Sequence, residues 1–236
     1  MKAKPPSQQA IRGWFDRTYR TLGLEYLREG EFYSIFMEYL GVKPGDRLLD
    51  VGCGPGLLLG QAVDRGAEAW GIDVSASALA LARKLVPAAR VSVGNAEALA
   101  FAGGSFDHLT CIGTFEHFLD GDRALAEWRR VLRKDGRICV MVPNSWTLKW
   151  QLELRRGLHH PDSHERAASL GHWRGIFLRN GFEIEALHRD EWPRYSRRRA
   201  LRGPGRGFLA ESLHARHLVP LRFANQFVFI LRPGAG

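Results

Sequence analysis

The chain has 236 residues, of which 45% are apolar and 25% are charged, an ordinary composition for one α/β domain with additions. No apolar run approaches the ~18 residues that a transmembrane helix needs, and residues 1–6 lack the apolar core of a secretory signal. Cys53, Cys111 and Cys139 form no C-x-x-C pair, so we expect reduced thiols and a cytoplasmic location, not disulfides or a metal site.

The net charge of +9 is concentrated in the C-terminal third. Residues 151–236 carry 15 Arg against 8 acidic residues, and residues 194–222 hold eight Arg with Glu211 as the single acid. Three interpretations stay open: an exposed loop of an Arg-rich chain, a pocket for an anionic substrate, or a nucleic-acid surface. The segment contains no recognisable RNA-binding motif, so the last of these is not favoured.

The N-terminal part, residues 8–41, is predicted to form two helices, because its apolar residues recur at helical spacing. The first set is Ile11, Trp14, Phe15, Tyr19 and Leu22, and the second is Phe32, Ile35, Phe36, Tyr39 and Leu40. Gly41 and Lys43-Pro44-Gly45 end this part. We therefore predict an N-terminal helical cap over residues 1–45, followed by a domain over residues 46–236.

The next segment combines a short apolar strand, an acid, a glycine-rich turn and a predicted helix over residues 57–64. Its pattern D-x-G-x-G-x-G is carried by Asp50, Gly52, Gly54 and Gly56. Glycines let the backbone approach a ligand closely, and a helix start offers free N–H groups. A dinucleotide-binding fold would require glycine at position 57, where Leu57 stands. The alternative interpretation is an ordinary tight turn between strand and helix.

A second predicted strand, residues 68–72, ends at Asp73. This acid lies about twenty residues beyond the glycines, where a ribose-binding carboxylate is expected. Its two oxygens can accept hydrogen bonds from both ribose hydroxyls. The alternative is a charge that stabilises the start of the next helix, for which Ser75 is the predicted cap.

Further predicted strands, residues 107–112 and 137–142, continue an alternation with helices that indicates βαβ units and a parallel sheet. In such a sheet, ligands bind beyond the carboxyl ends of the strands. Polar or glycine residues follow these ends, so we expect them to line one cleft. They are Asp50, Asp73, Asn95 and Gly113.

These segments, in this order over about residues 46–145, resemble the class I S-adenosylmethionine-dependent methyltransferases, and most closely the small methyltransferases of quinone biosynthesis. That group usually has G-D-A-E-x-L-P-F in its third loop, whereas this chain has Asn95 for Asp and Ala100 for Pro. Asn95 would then offer the adenine amino group a neutral acceptor. Trp14–Tyr19 also resembles a family segment whose Tyr often covers the cofactor, although a covering helix explains it equally well.

The resemblance implies an α/β, Rossmann-like fold: a seven-stranded, mostly parallel sheet with helices on both faces, an antiparallel last strand and an N-terminal helical cap. It implies S-adenosyl-L-methionine as cofactor and S-adenosyl-L-homocysteine as product, with no obligatory metal. The residues that it implies for cofactor binding are Tyr19, Asp50, Gly52, Cys53, Gly54, Gly56, Asp73, Val74, Asn95, Ala96, Ile112 and Gly113.

After Pro143 the pattern becomes less regular. We predict a helix over residues 144–157, a helix from a Ser163 cap to Asn180, and strands over residues 182–187 and 223–231. Relatives usually join the last two strands by a short hairpin, but here about 35 residues intervene, a length typical of a functional or disordered loop. Insertions in the methyltransferase domain are therefore expected at about residues 144–163 and 189–222.

His117 is the candidate general base, because it follows the fourth strand close to the expected sulfonium. The alternative is a structural role or a contact with the cofactor. Two other groups could line the acceptor pocket, although surface exposure of the histidines and core packing of the tryptophans are the alternatives. They are His159, His160, His164 and His172, and Trp146, Trp150, Trp173 and Trp192.

The sequence thus predicts methyl transfer to a small-molecule acceptor, either anionic or aromatic, with oxygen or carbon as the methylated atom. Residues 112–115, Ile-Gly-Thr-Phe, stand where N-P-P-Y or D-P-P-Y would indicate methylation of amino nitrogens. Two alternatives stay open. One is methylation of RNA or protein through the basic C-terminal third, and the other is a non-catalytic protein that binds S-adenosylmethionine.

Overall fold

The computed structural model describes residues 7–155, 164–190 and 220–234. The strands in these residues are β1 (Arg47–Val51), β2 (Glu68–Asp73), β3 (Arg90–Val93), β4 (Phe106–Ile112), β5 (Leu132–Pro143), β6 (Phe182–Asp190) and β7 (Gln226–Pro233). The helices are α1 (Gln8–Leu22), α2 (Ser34–Leu40), α3 (Leu57–Val63), α4 (Ala76–Leu85), α5 (Gly121–Val131), α6 (Leu148–Arg155) and α7 (Leu170–Arg179).

The seven strands form one sheet in the order β3-β2-β1-β4-β5-β7-β6. The pairs β2–β3, β1–β2, β1–β4 and β4–β5 are parallel, whereas β7 runs antiparallel to both β5 and β6. The predicted fold class is therefore confirmed. The chain continues from β1 to β2 and β3 on one side of the sheet, and from β4 to β5 on the other side. The crevice between the carboxyl ends of β1 and β4 is therefore the expected ligand position of this fold.

The sheet has a separate hydrophobic core on each face. One core packs α5 and α7 against the sheet around the fully buried Trp128 and Phe177, and the other packs α2, α3 and α4 around Phe36 and Leu59. Close packing at Gly71 of β2 shows how tight the second core is. A Cβ atom there would lie 2.7 Å from Cys53 Sγ and from Leu59 Cδ1, so the strand requires glycine.

A buried ion pair joins the segment after α1 to β6, the outermost strand on one side of the sheet. The guanidinium of Arg28 donates two hydrogen bonds to Asp190, at 3.2 and 2.8 Å, and both residues are buried. Asp190 is the last residue of β6. The ion pair therefore holds the N-terminal segment on the side of the sheet where the strands have their carboxyl ends, which is also the side of the crevice.

The predicted starts of three elements after β5 are wrong, for local reasons, and β6 ends at Asp190 instead of position 187. The helix predicted from Ser163 begins at Leu170, because Ser169 caps it by accepting a hydrogen bond from the His172 N–H at 3.3 Å; Ser163 itself lies outside the described residues. The helix predicted from Asn144 begins at Leu148, because the side chain of Asn144 accepts from the Trp146 N–H and braces a turn.

The last strand begins at Gln226, not at position 223, since residues 221–223 form a 3₁₀ turn. The Asn144 amide holds this turn by donating to the carbonyls of Arg222 and Ala224, both at 2.8 Å. Most of the predicted insertion over residues 189–222 lies outside the described residues. None of the helices in the described part of the chain has the combined length and apolar character needed to cross a bilayer.

Candidate active site

A cleft that is partly open to solvent lies at the carboxyl ends of β1, β2 and β4. The structure brings all the predicted site residues except Gly56 together in its wall. Those present are Tyr19, Asp50, Gly52, Cys53, Gly54, Asp73, Val74, Asn95, Ala96, Ile112, Gly113 and His117. The cleft wall also includes residues for which no role was predicted, among them Gln8, Ile11, Phe15, Leu27, Tyr33, Leu57 and Thr114.

The glycine turn after β1 forms part of the cleft wall. Gly52, Gly54 and Gly56 have φ angles of 76°, 52° and 83°, which favour glycine. A side chain at Gly52 would overlap Thr114, and a Cβ at Gly54 would lie 2.8 Å from the Tyr19 hydroxyl. Gly56 instead caps α3 away from the cleft wall, so its predicted contact with a cofactor stays a prediction.

Asp50 is the carboxylate at the base of the cleft. The register of β1 and β4 places it opposite Thr110, whose hydroxyl donates to Asp50 Oδ1 at 2.7 Å. Burial raises the pKa of Asp50 to about 7; the hydrogen bond from Thr110 lowers it, and the nearby charge of Asp73 raises it further. Near neutral pH a cation bound beside Asp50 would therefore favour the ionised form of this carboxyl.

Asp73 ends β2 on the neighbouring side of the cleft. Its carboxylate accepts one hydrogen bond from the Gly54 N–H at 2.9 Å and another from the Ser75 N–H at 2.8 Å. Burial raises the pKa of Asp73 to about 6, although these backbone hydrogen bonds favour the ionised form. Each oxygen keeps further acceptor capacity, so the side chain can also accept bonds from a ligand.

The charged side chains in the cleft wall are therefore acidic, although the net charge of the whole chain is positive. Asp50 and Asp73 are both buried, at 3% and 8% exposure. Among the described residues that line the cleft, none is Lys or Arg. A cation or a group rich in hydroxyl donors would satisfy these carboxylates, whereas a phosphate would be repelled.

The loop after β3 forms the next part of the wall. Asn95 Oδ1 accepts from the Glu97 N–H at 3.0 Å, which braces the loop. Glu97 is buried and Oε1 of its carboxylate accepts from the backbone N–H groups of Leu119 and Asp120. The loops after β3 and β4 are thus tied together at this end of the cleft.

His117 belongs to a short 3₁₀ helix, Phe115–His117, that follows β4 and Gly113. Its ring is buried and meets the ring of Phe15 edge-on, with 5.1 Å between centroids. Phe15 is part of α1, so this contact joins the loop after β4 to the N-terminal helix across the cleft.

The other histidines and tryptophans considered from the sequence have different positions. Trp173 is buried in the core and donates from its ring N–H to the Pro143 carbonyl, whereas Trp146 is 70% exposed. His172 is exposed on α7, and His164 and Trp150 are half-buried. His159, His160 and Trp192 lie outside the described residues. The described members of these two groups are not among the residues that line the cleft.

Comparison with known proteins shows the family to which the chain belongs. Residues 49–140 match the family model described as a methyltransferase domain. A ubiquinone biosynthesis O-methyltransferase of Chelativorans sp. is 31% identical over 179 residues, which cover 65% of this chain and 70% of that protein. The chain belongs to the class I S-adenosylmethionine-dependent methyltransferases.

The share of each relative's length that this chain matches differs among the relatives. An uncharacterized 37.1 kDa protein in transposon Tn4556 of Streptomyces fradiae is 33% identical over 156 residues, but the match spans 64% of this chain and 43% of that protein. Among solved structures, phosphoethanolamine N-methyltransferase 2 of Haemonchus contortus, in complex with S-adenosylhomocysteine, has a TM-score of 0.69 at 19% identity, covering 95% of this chain and 60% of that one. This last similarity indicates a shared fold.

The raised pKa of Asp50 predicts a pH-dependent difference in stability between the wild type and Asp50→Asn. The folded-state pKa of about 7 exceeds the unfolded value of about 3.9, so the ligand-free wild type loses stability as pH rises from about 4 to 7. The amide does not ionise. We expect the free energy of unfolding of Asp50→Asn, relative to wild type, to increase by about 2 kcal/mol between pH 5 and pH 8 in urea titrations. A difference independent of pH would contradict the raised pKa.

Proposed function

We propose that this protein transfers the methyl group of S-adenosylmethionine to an oxygen or carbon atom of a small-molecule acceptor. The observation that supports this most strongly is the pair of buried carboxylates, Asp50 and Asp73, in a cleft whose described wall has no Lys or Arg. S-adenosylmethionine, when bound, supplies a methyl group on a positively charged sulfur. A nicotinamide dinucleotide, by contrast, would bring its pyrophosphate to the glycine turn, close to the carboxylate of Asp50.

The residues of the wall fit the parts of this cofactor. Asp50, with its carboxyl ionised, would hold the ammonium group of the methionine part, and the backbone of the Gly52–Gly54 turn allows that part to lie close. Asp73 would accept hydrogen bonds from the ribose hydroxyls. Asn95 and Ala96 lie in the loop after β3, in a position to contact the adenine.

Apolar and aromatic side chains also line the cleft and support an apolar or aromatic acceptor. Leu27, Tyr33 and Leu57 come from the N-terminal segment and the start of α3, and Ile112 comes from the end of β4. Such a wall excludes water and orients an acceptor for attack, which is the main requirement for displacement at an activated methyl group.

His117 is the residue that we propose to accept a proton from the acceptor. His117 lies in the cleft wall, and the edge-on contact with Phe15 restricts the orientation of its ring. Removal of a proton increases the nucleophilicity of a hydroxyl or an acidic carbon, so a base here suits O- or C-methylation. The name of the Chelativorans relative, an O-methyltransferase of ubiquinone biosynthesis, is consistent with a phenolic acceptor.

A second candidate is methylation of RNA or protein, which the basic composition of residues 151–236 favours. Polyanion binding through this part would weaken steeply as salt concentration rises. The small-molecule proposal is preferred because the α1 side chains Ile11, Phe15 and Tyr19 form one wall of the cleft. This wall leaves less room for an RNA or protein chain than for a small molecule.

The ribose assignment predicts that Asp73→Ala weakens S-adenosylhomocysteine binding by roughly 100-fold, because two hydrogen bonds to a charged acceptor are lost. Isothermal titration calorimetry measures this affinity. Asp122→Ala is the matched control, since Asp122 is exposed on α5, pairs with Arg179 and is not among the residues that line the cleft. Unchanged affinity in a folded Asp73→Ala protein would show that Asp73 does not hold the ribose.

The acceptor class is tested by measuring formation of S-adenosylhomocysteine with catechols, simple phenols, 1,3-dicarbonyl compounds, total RNA and denatured protein. We expect turnover with members of the first three groups, and His117→Gln should reduce it by about 100-fold or more while its S-adenosylhomocysteine affinity stays within threefold. Turnover with RNA or protein alone would favour the second candidate. Equal turnover by His117→Gln would exclude its role as base.

A further inference from the structure

The segment between α1 and α2 contributes to the cleft wall without being part of the sheet. Two short 3₁₀ helices, Gly23–Tyr26 and Gly30–Tyr33, are joined by residues 27–29, which have no regular structure. Leu27 and Tyr33 of this segment line the cleft and are among the side chains that support an apolar or aromatic acceptor. The positions of these two residues therefore depend on side-chain contacts more than on backbone pairing.

Arg28 lies between these two wall residues in the chain and is itself buried, at 8% exposure. Its guanidinium carbon lies 5.8 Å from the centre of the Tyr33 ring and 5.9 Å from the centre of the Phe36 ring. A cation over an aromatic face is attracted to it. Arg28 is not among the residues that line the cleft, so it supports Tyr33 from behind the wall.

The same guanidinium also contacts β5. Arg28 Nη2 donates to Met141 Sδ at 3.7 Å, and Met141 Cε would lie 3.6 Å from a Cβ atom at Gly113. Gly113 lines the cleft at the end of β4. Arg28 thus connects two parts of the wall, one from the N-terminal segment and one from the sheet.

Asp190 fixes the orientation of this guanidinium. The two residues form a bidentate pair, with Nη1–Oδ1 at 3.2 Å and Nη2–Oδ2 at 2.8 Å, and their side chains are 6% and 3% exposed. Two parallel hydrogen bonds between planar groups define an orientation that a single point charge does not. Because Asp190 ends β6, the sheet determines where the guanidinium lies.

Stability alone does not explain a polar cluster in this place. Replacing a buried ion pair by apolar residues of similar volume is often neutral or stabilising. Asp190 also lies opposite Gln226 of β7, whose buried Oε1 has no hydrogen-bond partner among the described residues, which adds a further cost. Apolar side chains could fill this space, but they would not define the orientation of the groups beside the wall.

We propose that Arg28 is a positioning residue for the methyl acceptor and that Asp190 holds it in place. The inference rests on the proposed function, because it takes Leu27 and Tyr33 as part of the acceptor site. A wall that is already ordered spares the acceptor the cost of ordering it on binding. Neither Arg28 nor Asp190 bonds to Asp50 or Asp73 in the described structure, so the effect is specific to the acceptor.

The test separates acceptor binding from cofactor binding in the double variant Arg28→Leu/Asp190→Leu. This change removes both charges, so no unpaired charge stays buried and the fold is kept. We expect KM to rise about tenfold for whichever of catechol, phenol and acetylacetone the wild type methylates, while the affinity for S-adenosylhomocysteine stays within about twofold. Arg28→Lys keeps the charge but loses the bidentate geometry, and its KM should lie between the two.

The matched control is Arg137→Leu/Glu185→Leu. Arg137 of β5 forms a bidentate pair with Glu185 of β6, with both distances at 2.8 Å, and neither residue lines the cleft. This variant also removes an arginine–carboxylate pair at β6, so it reports any general loss of structure. Its KM for the same acceptor should match that of the wild type.

Hydrogen–deuterium exchange of the peptide over residues 23–33 gives an independent readout of the order of the wall. In the complex with S-adenosylhomocysteine, the acceptor should add little protection to this peptide in the wild type, because the wall is already ordered. In Arg28→Leu/Asp190→Leu the peptide should exchange faster, and saturating acceptor should restore its protection. A purely structural role would give no such dependence on the acceptor.

The outcomes separate this inference from the proposed function. A wild type that methylates none of the three compounds overturns the small-molecule function and this inference with it. Wild-type turnover combined with an unchanged KM in the double variant and in Arg28→Lys overturns the positioning role alone. So does a raised KM that the Arg137 and Glu185 control shares or that comes with an equal loss of S-adenosylhomocysteine affinity. Should the double variant fail to fold, Arg28→Lys decides the test.

Discussion

The burial of two carboxylates in one cleft is the constraint on which the rest of the site depends. Asp50 and Asp73 lie at the carboxyl ends of adjacent parallel strands, so the sheet itself brings them together. Two buried acids repel each other and are costly to ionise unless a donor or a cation compensates them. The protein provides Thr110, Gly54 and Ser75 as donors, but the described cleft wall offers no Lys or Arg. We propose that a cationic nucleoside completes this arrangement.

The same constraint explains the role of the N-terminal helix. A cleft with buried acids requires a cover, because open solvent would weaken every electrostatic contact inside it. The cover is α1, which Asp16 joins to Ser75 and Gln8 joins to Glu97. Side chains of residues 8–33 thus form part of the cleft wall, and the Arg28–Asp190 ion pair joins this segment to the carboxyl end of β6.

Local signals in the sequence were sufficient to predict the sheet and half of the cleft wall, because strand ends, glycine turns and acids follow one another in the chain. The contacts between distant segments could not be predicted. Thr110 meets Asp50 only through the β1–β4 register, and Arg28 meets Asp190 across 162 positions. The start of α7 was misplaced because Ser163 and Ser169 are both plausible caps, and only the fold distinguishes them.

The most direct test of the central claim is the number of protons exchanged when S-adenosylhomocysteine binds. Calorimetric titrations at pH 6.5 in buffers of different ionisation enthalpy give this number. An ammonium group beside Asp50 stabilises its ionised form, so we expect net release of about 0.5 to 1 proton per ligand. Binding without proton exchange, or with proton uptake, would contradict the claim that these two acids form the site for the cationic nucleoside.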